Sequence, residues 1–174
     1  MNDKETRALP TGETMLNSVS AFGSGEIGRL IMSYDWSTSP VGPIGSWSQT
    51  LINTVCTMLP ARTPIALFWG ADHVALYNDA CASLLAGKHP LALGGPASAN
   101  RAKLWDDLEP SLNKVRTSGE TVFAHAKPLR SDRHGIAVEV YFDISYSPVI
   151  EMDGTVGGVL CILSEVTNRV RGDQ

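Results

Sequence analysis

The fold is decided by one stretch near the C-terminal end of the sequence, residues 136–148, which read IAVEVYFDISYSP. Large apolar side chains alternate here with small or polar ones. The large ones are Ile136, Val138, Val140, Phe142, Ile144 and Tyr146. Because successive side chains of a strand point to opposite faces of a sheet, this alternation predicts a β-strand with one buried face. Pro148 has no N–H to donate, so the pairing is expected to end near it.

A second β-rich run follows after a turn. Residues 151–154, EMDG, end in Gly154, and glycine readily adopts the positive φ that a tight turn needs. Residues 155–163, TVGGVLCIL, are rich in β-branched and apolar side chains and predict a partner strand. The two strands should form a long antiparallel hairpin, and the other elements are expected to pack on its apolar face.

Length and composition bound the class of protein. The chain has 174 residues, 43% of them hydrophobic, which suits one domain with one core. The net charge is −4 and the basic residues are scattered, so nucleic acid is not an expected partner. No window approaches the roughly 20 apolar residues of a membrane span, and the N-terminus lacks the apolar core of a signal peptide. We therefore expect a soluble, cytoplasmic protein with no membrane partner.

Three cysteines, Cys56, Cys81 and Cys161, are odd in number, widely spaced and set among apolar neighbours. A zinc site would need paired spacings, and a disulfide framework would need a secretory context. We interpret the three as reduced core thiols and predict no metal site.

The first third of the chain predicts a tail and two helices. Residues 1–23 are polar and are predicted to form a flexible tail. Apolar residues then recur at helical spacing, at Ile27, Leu30, Ile31 and Tyr34. After a Pro/Gly loop, Ser46 is a suitable N-cap for a second helix that Pro60 would stop. We take residues 24–60 as N-terminal flanking helices.

The middle of the chain alternates short strands with helices. In order, it predicts strands at residues 64–70 and 73–78, a helix at 80–86, a loop at 88–100, a helix at 102–117 and a strand at 121–129. Pro110 predicts a kink or a break in the longer helix. Strands at both ends with helices between them indicate an α+β domain, an antiparallel sheet with helices on one face.

An ordered set of short motifs runs through this pattern. The motifs are Gly25-Glu26, Asp35-Trp36, PVGP at 40–43, WSQTL at 47–51, LFWG at 67–70, YNDA at 77–80, GKHPLALG at 87–94, Leu104-Trp105, GET at 119–121, Tyr141-Phe142, SYSP at 145–148, Asp153-Gly154, GGV at 157–159 and SEVTNR at 164–169. Over about residues 25–170 this set resembles the PAS domain superfamily, most of all the PAS domains near the N-terminus of bacterial sensor histidine kinases.

The resemblance implies a fold and a function. The fold is a five-stranded antiparallel sheet with helices on one face, with the PAS core at residues 61–165 and the start of an output helix at 166–174. The function is a sensory or regulatory module of a bacterial signal-transduction protein, expected to be a histidine kinase, rather than an enzyme. PAS domains hold a small molecule between sheet and helices or act as dimerisation devices. A ligand-binding sensor and a ligand-free interaction module therefore both stay open.

Candidates for lining a ligand pocket are the inward strand residues and residues near the middle helices. They are Phe68, Tyr77, His89, Trp105, His125, Phe142, Tyr146 and Cys161. For each aromatic or aliphatic member, plain core packing is the simpler interpretation.

The cofactor is unknown from the sequence. Heme would need an axial ligand, and because the helix at 102–117 contains no histidine, His89 and His125 are the candidates. His73 and His134 lie at predicted turns and are expected to be exposed. The Asn-Cys-Arg-Phe-Leu motif of the flavin-binding light sensors is absent, so a covalent flavin adduct has no support.

Two further hypotheses concern catalysis and assembly. Carboxylates on the central strand, Glu139 and Asp143, are interpreted as a solvated face, and no catalytic or metal motif accompanies them. The apolar stripe of the first helix, formed by Ile27, Leu30, Ile31 and Tyr34, is predicted to pack across the two-fold axis of a homodimer. The alternative is that this helix folds back on its own sheet and the domain is monomeric.

Overall fold

The computed structural model describes residues 22–23, 25–85, 93–96, 103–133 and 135–172, with only the backbone described at 85, 103–106 and 131–133. In chain order the elements are α1 (Glu26–Ser33), α2 (Gln49–Met58), β1 (Ile65–Trp69), β2 (Val74–Tyr77), α3 (Asp79–Leu85), α4 (Lys103–Ser118), β3 (Val122–Arg133), β4 (Ile136–Ile150), β5 (Val156–Glu165) and α5 (Thr167–Gly172). Two short 3-10 turns, Trp36–Thr38 and Ile44–Ser46, lie between α1 and α2.

The strands form a single antiparallel sheet in the order β2-β1-β5-β4-β3. The hairpin of β4 and β5 lies near its centre, with Tyr146 opposite Cys161. Gly154 has a φ of 88° in the connecting turn, where a side chain would be strained. The strand at residues 136–148, its hairpin and the α+β architecture are therefore confirmed.

The two faces of the sheet have different surroundings. One face, called here the inner face, carries Ala66, Phe68, Tyr77, Phe142, Ile144, Tyr146 and Cys161. Helix α4 packs on it through the buried residues Leu108, Leu112 and Val115 and runs unbroken through Pro110. On the opposite, outer face, Leu67 and Leu76 are fully buried, whereas Phe123 is 50% and Ile162 39% exposed. Among the described residues, the outer face is thus covered over β1 and β2 and open at Phe123 and Ile162.

Helix α2 supplies this cover. At its start, the Ser48 hydroxyl caps the N–H of Leu51 and donates to Glu151 Oε1 at 2.7 Å, beside the β4–β5 turn. At its end, the carbonyl of Met58 accepts from Asn78 Nδ2 at 3.1 Å, beside the end of β2. These two anchors lie at opposite ends of the sheet, so α2 runs along β1. Its buried side chains Leu51, Ile52, Val55 and Met58 join the core cluster that contains Leu67 and Leu76.

Helix α1 also packs on its own domain. The N–H of Ile27 donates to Asp79 Oδ1 at 3.1 Å, at the start of α3. Ile27 and Ile31 are fully buried, and Leu30 and Tyr34 pack against the same core. Ile27 and Ile31 are therefore not available for the predicted homodimer contact, because they already cover apolar surface of their own chain, while a contact through the part-exposed Leu30 and Tyr34 stays a prediction.

The N-terminal end of the described chain belongs to the core as well. Phe22 is 3% exposed, and its ring centroid lies 6.4 Å from that of Trp47. Glycine at position 28 permits this approach, because a Cβ there would lie 1.9 Å from the carbonyl oxygen of Phe22. The boundary predicted at residue 23 therefore falls inside the packed domain. The rest of the predicted tail, residues 1–21, lies outside the described residues, as do 86–92 and 97–102.

Asn78 ties these parts together. Its side chain is fully buried at the junction of β2 and α3. Oδ1 accepts from the N–H of Ile65 at 3.1 Å and of Cys81 at 3.0 Å. Nδ2 donates to the carbonyl oxygens of Met58, Ala61 and Thr63 at 3.1, 3.2 and 2.9 Å. One amide thus fixes the end of α2, the loop after it, the start of β1 and the start of α3.

Replacing Asn78 by aspartate is expected to destabilise the fold, because a carboxylate cannot donate and would face three carbonyl oxygens. We expect the free energy of unfolding to fall by about 3 kcal/mol or more, measured by urea denaturation. Asn53→Asp on the exposed side of α2 is the matched control, with an expected change below about 0.5 kcal/mol. Equal losses in the two variants would contradict the role assigned to Asn78.

A second pair of variants tests the burial of α1. Ile31 is fully buried and its neighbour Met32 is 54% exposed. Ile31→Glu should lower the free energy of unfolding by about 4 kcal/mol, because it forces a carboxylate into the core, whereas Met32→Glu should change it little. Thermal melts and light scattering measure both properties. A stable Ile31→Glu protein with a smaller assembly mass would restore the dimer contact.

Candidate ligand-binding interior

Five of the eight predicted site residues meet on the inner face of the sheet. The register aligns Tyr77, Ala66, Cys161 and Tyr146 in one transverse row across β2, β1, β5 and β4. The two tyrosines are about 14 Å apart at their backbones, three strand spacings of about 4.8 Å. Between them the row contains only the small side chains of Ala66 and Cys161. The side chains in the middle of the row therefore project less far from the sheet than the tyrosines at its ends. Phe68 and Phe142, both buried, continue the same face.

The hydroxyl of Tyr146 is a buried polar group with no hydrogen-bond partner in the described part of the chain. Burial, followed by the nearby Cys161, raises the pKa of this phenol. Ser111 on α4 lies close enough to offset part of that rise, without the geometry of a hydrogen bond. An unpaired buried hydroxyl costs roughly 1–3 kcal/mol, so this atom is positioned to accept or donate a bond from a group inside the domain.

The cysteines around the row are protonated at neutral pH. Burial raises the pKa of the Cys81 thiol on α3 to about 12. Burial and the nearby Cys81 raise the pKa of Cys161 well above its usual value. Cys81 also raises the pKa of Tyr77, after the larger effect of burial. The thiols of Cys81 and Cys161 are therefore uncharged, polarisable groups that line the interior, and they are not nucleophiles.

His125, another predicted site residue, does not join the row in the structure. His125 is exposed, and its ring packs edge-on against that of Phe123, with 4.5 Å between the ring centroids. It occupies a bulge where the pairing of β3 with β4 shifts register between Ala124 and Lys127. The bulge breaks the alternation that pointed His125 inward. His89 lies outside the described residues, and Trp105 lies on α4 with its side chain outside them.

His73 differs from its prediction. It was expected to be exposed at a turn, but it is 7% exposed, and its Nε2 lies 2.9 Å from Asn113 Oδ1 on α4. Its φ of 48° is uncommon for a residue with a Cβ. The bond joins the β1–β2 turn to α4, a long-range contact that sequence spacing does not reveal. His134 lies outside the described residues.

A separate cleft of about 690 Å³ lies away from the row. It is formed by the N-terminal segment, the end of α2 and the start of α3. Its lining includes Phe22, Cys56, Leu59, Arg62, Asp79 and Ser83. None of the predicted site residues is among its described lining residues. Within the described residues, three or more metal-ligating side chains do not cluster anywhere.

These features define the fold as that of a PAS domain, a five-stranded antiparallel sheet with helices packed on its inner face. No family model and no curated protein matches the sequence. Solved structures match at low identity, which shows the fold alone. An RNA-binding light-oxygen-voltage receptor is 19% identical over 76% of this chain and 37% of that one, with a TM-score of 0.50. The phage VqmA–DPO complex is 12% identical over 71% and 56%, with a TM-score of 0.51.

A third similar structure is a light-oxygen-voltage domain studied with a flavin analogue. It is 12% identical over 70% of this chain and 90% of that one, with a TM-score of 0.50. The chain thus spans nearly all of that isolated domain but only 37% and 56% of the first two proteins. No helix in the described part of the chain is long and apolar enough to cross a membrane.

The exclusion of nucleic acid as a partner is wrong. Proteins that share this fold include a receptor described as RNA-binding, and VqmA of Vibrio cholerae, which is described as having a target DNA. A net charge of −4 is a sum over the whole chain, and it excludes neither a local basic surface nor a nucleic-acid-binding protein that contains such a domain.

The raised pKa of Tyr146 predicts a loss of stability at high pH. A tyrosine in the unfolded chain ionises near pH 10. Below that pH both states keep the proton, and this residue contributes no pH dependence. Above it only the unfolded state releases the proton, so the free energy of unfolding falls by up to about 1.4 kcal/mol per pH unit until the folded tyrosine also ionises.

Tyr146→Phe is therefore expected to reduce this alkaline loss, because phenylalanine does not ionise. At pH 7 the same variant should be no less stable than the wild type, since the hydroxyl makes no hydrogen bond to the protein. Urea denaturation at several pH values between 7 and 11 measures both effects. A clear destabilisation at pH 7 would mean that a protein group pairs with the hydroxyl.

Proposed function

We propose that this chain is the sensory PAS domain of a bacterial signal-transduction protein and that it binds a small molecule between the inner face and α4. The unpaired hydroxyl of Tyr146 carries the proposal. Natural domains rarely leave such a group buried unless a water, an ion or a ligand completes its bonding. Beside it, the small side chains of Ala66 and Cys161 project little from the sheet, and a bound molecule would lie over them.

The lining favours one chemical class of ligand. The row consists of two phenol rings, an alanine and a thiol, none of them charged at neutral pH. Two aromatic ends suit a flat ring system, and the free hydroxyl suits a carbonyl oxygen or ring nitrogen on it. We therefore propose a planar, uncharged and largely apolar molecule with at least one hydrogen-bond acceptor.

The two cofactors considered from the sequence fit this site unequally. Heme loses its candidate axial ligand on β3, because His125 is exposed. A flavin is a planar heterocycle of the proposed class. A photochemical adduct is not proposed, because the chain lacks the Asn-Cys-Arg-Phe-Leu motif and Cys81 is a buried, protonated thiol.

A histidine kinase is the proposed context for the domain. The ordered motifs between residues 25 and 170 support it, together with the helix α5 that leaves β5. A second candidate function is a ligand-free protein-interaction module. It is favoured by the apolar side chains Phe123 and Ile162, which are exposed on the outer face among the described residues.

Native mass spectrometry of freshly purified protein separates the two functions. We expect a bound mass in the wild type, and binding weakened about fivefold to tenfold in Tyr146→Phe, because one hydrogen bond to the ligand is lost. Tyr141→Phe is the matched control, since this tyrosine is on the same strand and its hydroxyl donates to Glu139 on the outside at 2.8 Å. It should bind as the wild type does.

The interaction module predicts a different result. The protein would then carry no bound mass, and its melting temperature would not rise with any member of a library of planar heterocycles. Ligand binding that is equally weakened in both tyrosine variants would also contradict the proposed site, because the two hydroxyls lie on opposite faces of β4.

A further inference from the structure

The bulge in β3 brings three elements together at one carboxylate. Ala124 pairs with Ile144 and Lys127 pairs with Phe142, so two residues of β3 lie opposite the single residue Asp143 of β4. Ala126 in this bulge has a φ of 46°, a conformation that residues with a Cβ rarely adopt. Its N–H donates to Asp143 Oδ1 at 2.8 Å. The carboxylate therefore stabilises a backbone conformation that is unfavourable without it.

The same carboxylate holds the C-terminal helix. Arg169 of α5 places Nη2 3.0 Å from Asp143 Oδ2 and 3.3 Å from Oδ1. The Asp143 side chain is 17% exposed and that of Arg169 59%. The Ala126 N–H first, and Arg169 after it, lower the pKa of Asp143, so the carboxylate is charged at neutral pH. The Ala126 N–H and the Arg169 guanidinium thus both bind the Asp143 carboxylate on the outer face.

The other side of the bulge contacts the helix that covers the interior. Lys127, next to Ala126, donates from Nζ to the carbonyl oxygen of Asp107 on α4. Asp107 immediately precedes Leu108, whose buried side chain packs α4 against the inner face of the sheet. A continuous series of contacts therefore runs from α4 through Lys127, the Ala126 N–H and Asp143 to Arg169 on α5.

We propose that Asp143 couples the position of α4 to the docking of α5 through the bulge of β3. A displacement of α4 moves Lys127 and with it the bulge. Because the Ala126 N–H and the Arg169 guanidinium share one carboxylate, a change at the first alters how well the second is held. This regulation rests on the proposed function, since a ligand under α4 is what would displace that helix.

Part of α5 is held independently of Asp143. The N–H of Val166 donates to the carbonyl of Tyr141 at 2.7 Å, and the N–H of Tyr141 donates to Thr167 Oγ1 at 3.0 Å. The start of the helix therefore stays attached to β4 when Arg169 is released. The coupling should act on the turn that carries Arg169, in which the Val170 N–H donates to the carbonyl of Val166 at 3.0 Å.

A double-mutant cycle measured by NMR hydrogen exchange tests the coupling in the whole chain without added ligand. The four proteins are the wild type, Lys127→Met, Asp143→Asn and the double variant. We expect Lys127→Met to speed exchange of the Val170 amide about threefold or more in the wild type, and to have no further effect when Asp143 is already asparagine. Asparagine keeps the side-chain shape and one acceptor oxygen, so the fold should persist.

Arg171→Gln is the matched control. Arg171 lies on the same helix but donates to the backbone carbonyl of Glu139 at 3.2 Å and not to Asp143. It should leave exchange of the Ala126 amide unchanged, whereas Arg169→Gln should speed it. The proposal is overturned if Lys127→Met leaves Val170 unaffected, or if its effect is the same with and without Asp143, since Asp143 would then only anchor α5.

The outcome is independent of ligand binding. Native mass spectrometry of the same four proteins reports whether any of them carries a bound molecule. An intact coupling in a protein that carries none would contradict the proposed ligand site and leave the coupling in place. A bound molecule without coupling would contradict only the coupling.

Discussion

The structure depends on a single buried amide, the side chain of Asn78. Five backbone groups from four segments bond to it, and two of the five, the carbonyl groups of Ala61 and Thr63, belong to residues outside the helices and strands. Without these bonds the loop between α2 and β1 would bury carbonyl oxygens that have no donors. Because Asn78 is also the last residue before α3, it fixes the helix start relative to the sheet. The position of α2 over the outer face and the start of α3 next to Tyr77 therefore depend on the same side chain.

This arrangement explains why the domain has two unlike faces. Helix α2 is held along β1 and buries Leu67 and Leu76, so the β2 side of the sheet is covered on both faces. The β3 side is covered on the inner face by α4, and α3 also contacts β3. Its outer face carries Asp143, the bulge and α5, all partly open to solvent. The interior with Tyr146 thus lies between a half of the sheet whose outer face is apolar and buried and a half whose described outer contacts include the polar Asp143 and Arg169.

Much of the fold could be predicted from the sequence because its signals are local. The alternation from Val138 to Tyr146 determines which side chains face inward, and Gly154 determines where the hairpin turns. The inner-face members Phe68, Tyr77, Phe142, Tyr146 and Cys161 follow from that register. By contrast, an apolar stripe shows that α1 must cover something and cannot show what, so Ile27 and Ile31 were assigned to a partner chain. The exposed His125 was predicted to point inward because a bulge is invisible to a two-residue period.

The polar groups that matter most depend on contacts distant in sequence. Asn78 is recognisable as a helix cap, but its three carbonyl partners at residues 58–63 are not. Asp143 is indistinguishable in sequence from any solvated strand residue, because both of its partners, Ala126 and Arg169, are set by the folded chain. The unpaired state of the Tyr146 hydroxyl is likewise a property of packing. Local periodicity specifies the sheet, whereas tertiary geometry selects which polar atoms remain available for function.

If a ligand completes the hydrogen bonding of the buried Tyr146 hydroxyl, a crystal structure of protein purified directly from cells will contain it. We expect electron density for a planar molecule on the inner face, with an acceptor atom about 2.7–2.8 Å from Tyr146 Oη. A close-packed interior in which a protein side chain bonds that hydroxyl would contradict this expectation.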